Sequence, residues 1–210
     1  YSIQPPKKDL KITYYLTNTK KTIHQTIPTQ NNIQSGYYNK HNEIVIFRRE
    51  EVYKTTLHEL LRFVKLDGEN QDYMKSYYEN RYQKQLLKFD TREAICDFWA
   101  ILLNLFLTTK LLKKSYHFFR LLVSLEKLFV LYQAKKMISL SKQLNKYTDV
   151  MNYFIVKGEL FQNLPKALKY VNSNMKHSSR LYENLDTFKP IVVDEPIHDS
   201  TARMTMIELV

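Results

Sequence analysis

The segment from Asp90 to Leu107 constrains the fold more than any other. Asp90-Thr91-Arg92-Glu93 reads as a helix start, with Asp90 as N-cap and Glu93 three residues on completing a capping box. The helix it opens is apolar almost all round: Phe98, Trp99, Ile101, Leu102, Leu103, Leu105, Phe106 and Leu107. A helix without a polar face belongs inside, so the other elements are expected to pack around it. The run Phe98 to Leu107 contains Asn104 and follows Asp97. It is too short to span a bilayer, and no transmembrane segment is expected.

The flanking sequence predicts an α+β fold, mainly helical, with a small N-terminal sheet on a helical body. Leu10 to Leu16 is rich in β-formers and partly alternates, Thr22 to Ile27 suggests a second short strand, and Glu43 to Phe47 is a stronger one. Asn31 to Gly36 reads as a turn-rich loop. A helix follows with Glu50 and Glu51 in its first turn, where the dipole favours acids. Leu57, Leu60, Leu61 and Val64 fall at i, i+3, i+4 and i+7 and predict its core-facing stripe, and Asp67-Gly68 its end. Residues 69–88 predict a polar, tyrosine-bearing helix, 111–140 one or two basic amphipathic helices, and 142–156 and 158–174 two more, with Gly158 and Pro165 as punctuation. The domain is expected over 1–177. Residues 178–210, with Pro190, Pro196 and Asp194-Glu195, read as an extended C-terminal tail docked on another subunit.

Charge and cysteine content narrow the classes. Net charge is +11, and residues 101–150 alone carry +7 (nine Lys or Arg against Glu126 and Asp149). Such a surface attracts polyanions. One cysteine, Cys96, excludes an internal disulfide framework, and its apolar setting predicts inert packing. Three glycines could hardly build a phosphate-binding loop. Residues 1–10 are polar and proline-bearing, unlike a secretory signal. The expected location is therefore the cytoplasm or a particle assembled there, not secreted.

The chemically suggestive stretch is Thr56-Leu57-His58-Glu59-Leu60-Leu61-Arg62. In His-Glu-x-x-His, two imidazoles on one helix face bind zinc and the Glu activates the metal-bound water. Here the second imidazole position holds Arg62, a permanent cation without a lone pair. Glu93-Ala94-Ile95-Cys96-Asp97 offers a carboxylate on a second helix and another one turn later. Glu93 equally suits a capping box, and Asp97 could pair with Arg92 or Arg62.

Together these segments resemble the gluzincin metallopeptidases, which carry HExxH on one helix and ExxxD on the next. Ile44 to Glu51 and Phe98-Trp99-Ala100 also resemble metallopeptidase-like proteins of large DNA viruses. The resemblance covers residues 43–104 and implies a zincin-like body. It implies His58 as a metal ligand, Glu59 as general base, Glu93 as a further ligand and Asp97 behind them, orienting His58. Arg62 breaks the pattern. The expectation is that Arg62 pairs with Glu59, Glu93 or Asp97, its charge replacing the metal's, with no cofactor; Zn2+ is expected only if the chain is active.

Three functions follow as expectations. The first is an inactive metallopeptidase-like protein persisting as a structural or interaction module, bound to other protein subunits through the tail and aromatic surface, in a viral particle or other large assembly. The second is an active zinc peptidase with an unorthodox second ligand. The third is a nucleic-acid-binding protein using Lys110, Lys113, Lys114, Arg120, Lys135 and Lys136, with Tyr116, Phe118 and Phe119 among them. The apolar positions Leu121, Leu122, Leu125, Leu128, Phe129 and Tyr132 are read as core, which leaves the lysines as a solvated face and the polyanion contact weak.

Overall fold

A computed structural model describes residues 9–23, 27–64, 73–82, 91–145, 147–172, 188–193, 197 and 199–208. The fold is α+β and mainly helical, with a three-stranded sheet at one end. The strands are β1 (Lys11–Thr17), β2 (Gly36–Tyr38) and β3 (Glu43–Arg48), in the order β1-β3-β2. β1 runs parallel to β3, from Lys11 opposite Glu43 to Thr17 opposite Arg48, with an irregularity between Tyr14 and Thr17. β2 pairs antiparallel with β3. Ile44, Val45 and Ile46 make β3 the buried centre. Gly36 lets β2 come close, because a Cβ there would sit 2.6 Å from the Ile46 side chain and 2.7 Å from the Val45 carbonyl oxygen.

Short helix α1 (Gln30–Ile33) and β2 occupy most of the stretch expected as a loop. Of the expected strand over Thr22–Ile27, the described part forms only a bridge from Thr22 to Thr201. Then come α2 (Val52–Phe63), α3 (Tyr73–Tyr82), α4 (Arg92–Leu111), α5 (Tyr116–Gln143), α6 (Asp149–Gln162) and α7 (Leu164–Asn172). The predicted basic region is one continuous helix, α5. Asp90 and Asp67-Gly68 lie outside the described residues, and the N-cap of α4 is Thr91.

α4 is central, packing against α2, α5 and α6. Phe98, Ile101 and Leu105 are wholly buried with Met137, Met151, Phe154 and Phe161, and the Phe98 and Phe161 rings meet edge-on at 5.2 Å. Each such side chain contributes about 1.5–3 kcal/mol by leaving water. α4 is long and apolar enough to cross a membrane by composition, but 67% of its most apolar window is buried in the fold.

Four expectations are corrected. On α2 the leucine stripe is not the buried face: of Leu57, Leu60, Leu61 and Val64 only Leu61 is buried, whereas Lys54, Thr55, His58 and Glu59 are. Glu93 and Asp97 of α4 supply partners for Lys54 and His58 on that polar face, so burial follows pairing rather than hydropathy. On α5, Leu121, Leu125, Leu128 and Tyr132 are exposed and Leu122 is buried, because the core lies along Leu122, Val130, Ala134 and Met137. Gly158 punctuates nothing: it sits within α6, where its missing side chain admits Ala134 of α5.

The fourth concerns the tail. Its described part is extended, but it lies on this chain's own body. Phe188, Ile191, Ala202, Met204 and Thr205 are buried. Ile23 donates its N–H to the Ser200 carbonyl (2.7 Å), and Ala202 donates to that of Lys21 (2.9 Å). Residues 200–207 form a strap held against Ile23, Glu51 and side chains of α4, α5 and α6.

Candidate functional site

α2 and α4 bring together the five residues the sequence singled out. His58, Glu59 and Arg62 come from α2, and Glu93 and Asp97 from α4. The His58 Nε2 lies 3.0 Å from Glu93 Oε2. Its Nδ1 lies 3.3 Å from Asp97 Oδ1, an ion-pair distance at an angle too oblique for a good hydrogen bond. Arg62 places Nη2 3.3 Å from Glu93 Oε1 and Nη1 3.5 Å from Glu59 Oε2. Glu93 thus faces the imidazole with one oxygen and the guanidinium with the other. Cys96, buried as expected, donates its thiol to the His58 carbonyl (3.3 Å).

Below this layer lies charge that sequence reasoning did not find. Asp97 is fully buried and accepts from Lys54 (2.6 Å) and from Lys157 of α6 (2.9 Å). Asp97 was expected to pair with Arg92 or Arg62, and the two lysines take that place. Lys157 also donates to the Met204 carbonyl (3.2 Å) and lies under the Tyr153 ring, 4.7 Å from its centre. Glu51, at the left-handed N-cap of α2 (φ 60°), is buried too. It pairs with Lys21 and accepts from the N–H groups of Met204 (2.5 Å) and Thr205 (2.9 Å). Glu50 and Glu51 were expected in the first turn of the helix; α2 begins at Val52, with Glu51 as its N-cap and Glu50 before it. A signal for this layer was present: Glu51, Lys54 and His58 fall at i, i+3 and i+7, and Lys157 and Glu159 interrupt the apolar run from Tyr153 to Phe161.

These contacts set the protonation states. Burial alone would lower the His58 pKa, but Asp97 and Glu93 outweigh it and raise it from 6.5 to about 9. Burial opposes the charged form of Asp97 as well, yet Lys157, Lys54 and His58 hold it well below the usual carboxylate range. Burial raises Glu59, with His58 and Arg62 pulling back.

This donor set does not fit a zinc ion. His58 already spends its Nε2 on Glu93. The carboxylate of Glu93 already faces two cations, and the remaining position is a guanidinium. Among the described residues, no group of three or more His, Cys, Asp or Glu side chains could hold a metal ion. His41 and His117 are exposed and do not line the site; His24, His177 and His198 lie outside the described residues.

Above the layer is an open cleft of about 670 Å³. One wall is the approach to the terminal strand β2 (Gln34, Ser35, Gly36), its floor carries His58, Glu59 and Arg62, and Tyr153 lies opposite.

The basic residues divide. Lys110, Lys113, Lys114 and Arg120 are exposed around the turn joining α4 to α5. Lys135 is half-buried. Lys136, expected on the solvated face, is buried instead, donating to Asp199 (3.3 Å) and to the Thr201 carbonyl as it anchors the strap. Glu126, also on α5, is fully buried and accepts from the Thr205 hydroxyl (2.8 Å) and the Met206 N–H (3.1 Å). No protein-family model, curated protein or solved structure matches this chain.

Proposed function

We propose that this chain is a catalytically inactive metallopeptidase-like protein that acts as a structural or interaction module in a larger assembly. One observation carries the reading: the His58 ring and the Arg62 guanidinium together occupy both oxygens of Glu93, the carboxylate that would face a metal. Positive charge from these two groups stands where a divalent cation would, and it keeps Glu93 ionised without a metal. The partner is another protein subunit. An extended segment of it adds beside β2 and lies in the cleft, where backbone pairing gives affinity and the charged floor gives selectivity.

Elemental mass spectrometry of the purified protein, with His58→Ala as control, tests this. The expected result is zinc far below one per chain in both samples. Stoichiometric zinc that disappears in His58→Ala, with peptide hydrolysis abolished by Glu59→Gln, overturns the proposal in favour of an active peptidase.

A further inference from the structure

Among the described residues, the turn between α4 and α5 gathers several of the most exposed large apolar side chains. Leu111 is 69% exposed, Leu112 49% and Tyr116 73%, and Phe106, Leu107 and Leu121 are exposed beside them. Lys110, Lys113, Lys114 and Arg120 rise among these side chains, Lys110 over the Phe106 ring. Between Asp97 and Asp149 the sequence holds one acid, Glu126, and its carboxylate is fully buried against the strap. The hairpin end, from its own sequence, therefore presents leucines, aromatics and cations, and carries no exposed acid of its own.

We propose that this hairpin end is a docking site for an anionic lipid surface. Charge selects the class of occupant. A second copy meeting the same patch would set lysine against lysine. A single-stranded nucleic acid would match the charge and could stack on Tyr116 and Phe106, but it would leave Leu107, Leu111, Leu112 and Leu121 in water. Protein interfaces are depleted in lysine at their centres, whereas here lysines flank the most exposed leucines directly. Lysine amines reaching lipid phosphates while neighbouring leucines enter the acyl boundary satisfy both halves of the patch. The site lies on the hairpin, not in the cleft, and its failure would leave the reading of the cleft untouched.

Vesicle co-sedimentation of the full chain tests it, comparing phosphatidylcholine alone with phosphatidylcholine plus phosphatidylserine. Two double variants are added, Leu111→Ser with Leu112→Ser, and Lys110→Glu with Lys114→Glu. Lys113 is left alone because its left-handed backbone (φ 52°) shapes the turn. Binding is expected only with phosphatidylserine, to fall with salt, and to weaken at least about tenfold in each variant, with helical circular dichroism unchanged. Three results overturn the proposal. One is no association with phosphatidylserine vesicles at low salt. Another is equal binding to both vesicle types. The third is binding that the leucine pair does not weaken, which marks plain charge attraction of the kind a nucleic acid or an acidic protein would share.

Discussion

Asp97 organises the interior at the scale of single residues. Three cationic groups converge on it, from α2 and α6, and it is wholly shielded from water. Removing one member of a buried ionic set leaves the others uncompensated, so Asp97→Ala should cost about 3–5 kcal/mol in urea unfolding. The same network makes stability depend on pH through His58. Its folded pKa, about 9, lies above the unfolded 6.5. The stabilisation is therefore complete below pH 6.5 and fades as pH rises through about 9. Urea midpoints measured across this window should fall, and His58→Gln should flatten the decline. The candidate site itself was legible in the sequence, because His58, Glu59 and Arg62 share one helix and Glu93 and Asp97 sit one turn apart on another. Lys54, Lys157, Lys21 and Glu51 were at most a spacing pattern, since a charged residue reads as a surface residue until a distant segment supplies its partner.

Among the elements, α5 and α6 share the most extensive helix contact, and Gly158 sets how closely they approach. A Cβ there would lie 2.5 Å from Ala134 Cβ and 2.7 Å from Ile191 Cδ1. In an exposed helix, glycine to alanine adds up to about 1 kcal/mol. Here Gly158→Ala should destabilise by about 1–3 kcal/mol, because the rigid Ala134 methyl cannot move aside; thermal unfolding would check the sign. Helices and β3 were readable because periodicity is a local property. Which face each helix buries was not. α2 turns a charged face inward because Glu93 and Asp97 of α4 carry complementary charge, and α5 leaves Leu121, Leu125 and Leu128 outside.

For the whole molecule, the strap completes the body. Its backbone is held by Glu51, Lys157 and Glu126, together with Asn104, which donates to the Ile207 carbonyl (3.1 Å). Deleting residues 203–210 should therefore abolish cooperative unfolding rather than trim a loose end, as near-ultraviolet circular dichroism would show. Burial raises the Glu126 pKa from 4.5 to about 7, against the hydrogen bonds from the strap. Ionising it penalises the fold increasingly from pH 4.5 to about 7, and Glu126→Gln should remove that slope. The sequence pattern did show residues 178–210 as lacking regular structure, but not where they lie, since nothing local encodes a contact across the chain. Thr205 donates to Glu51 over a separation of 154 residues. Synthesis runs from the N-terminus, so Glu51, Glu126 and Lys157 all emerge before the segment that neutralises or hydrogen-bonds them. Until that segment arrives, the nascent chain holds charged groups it cannot yet bury, and the last folding step waits on translation reaching the strap.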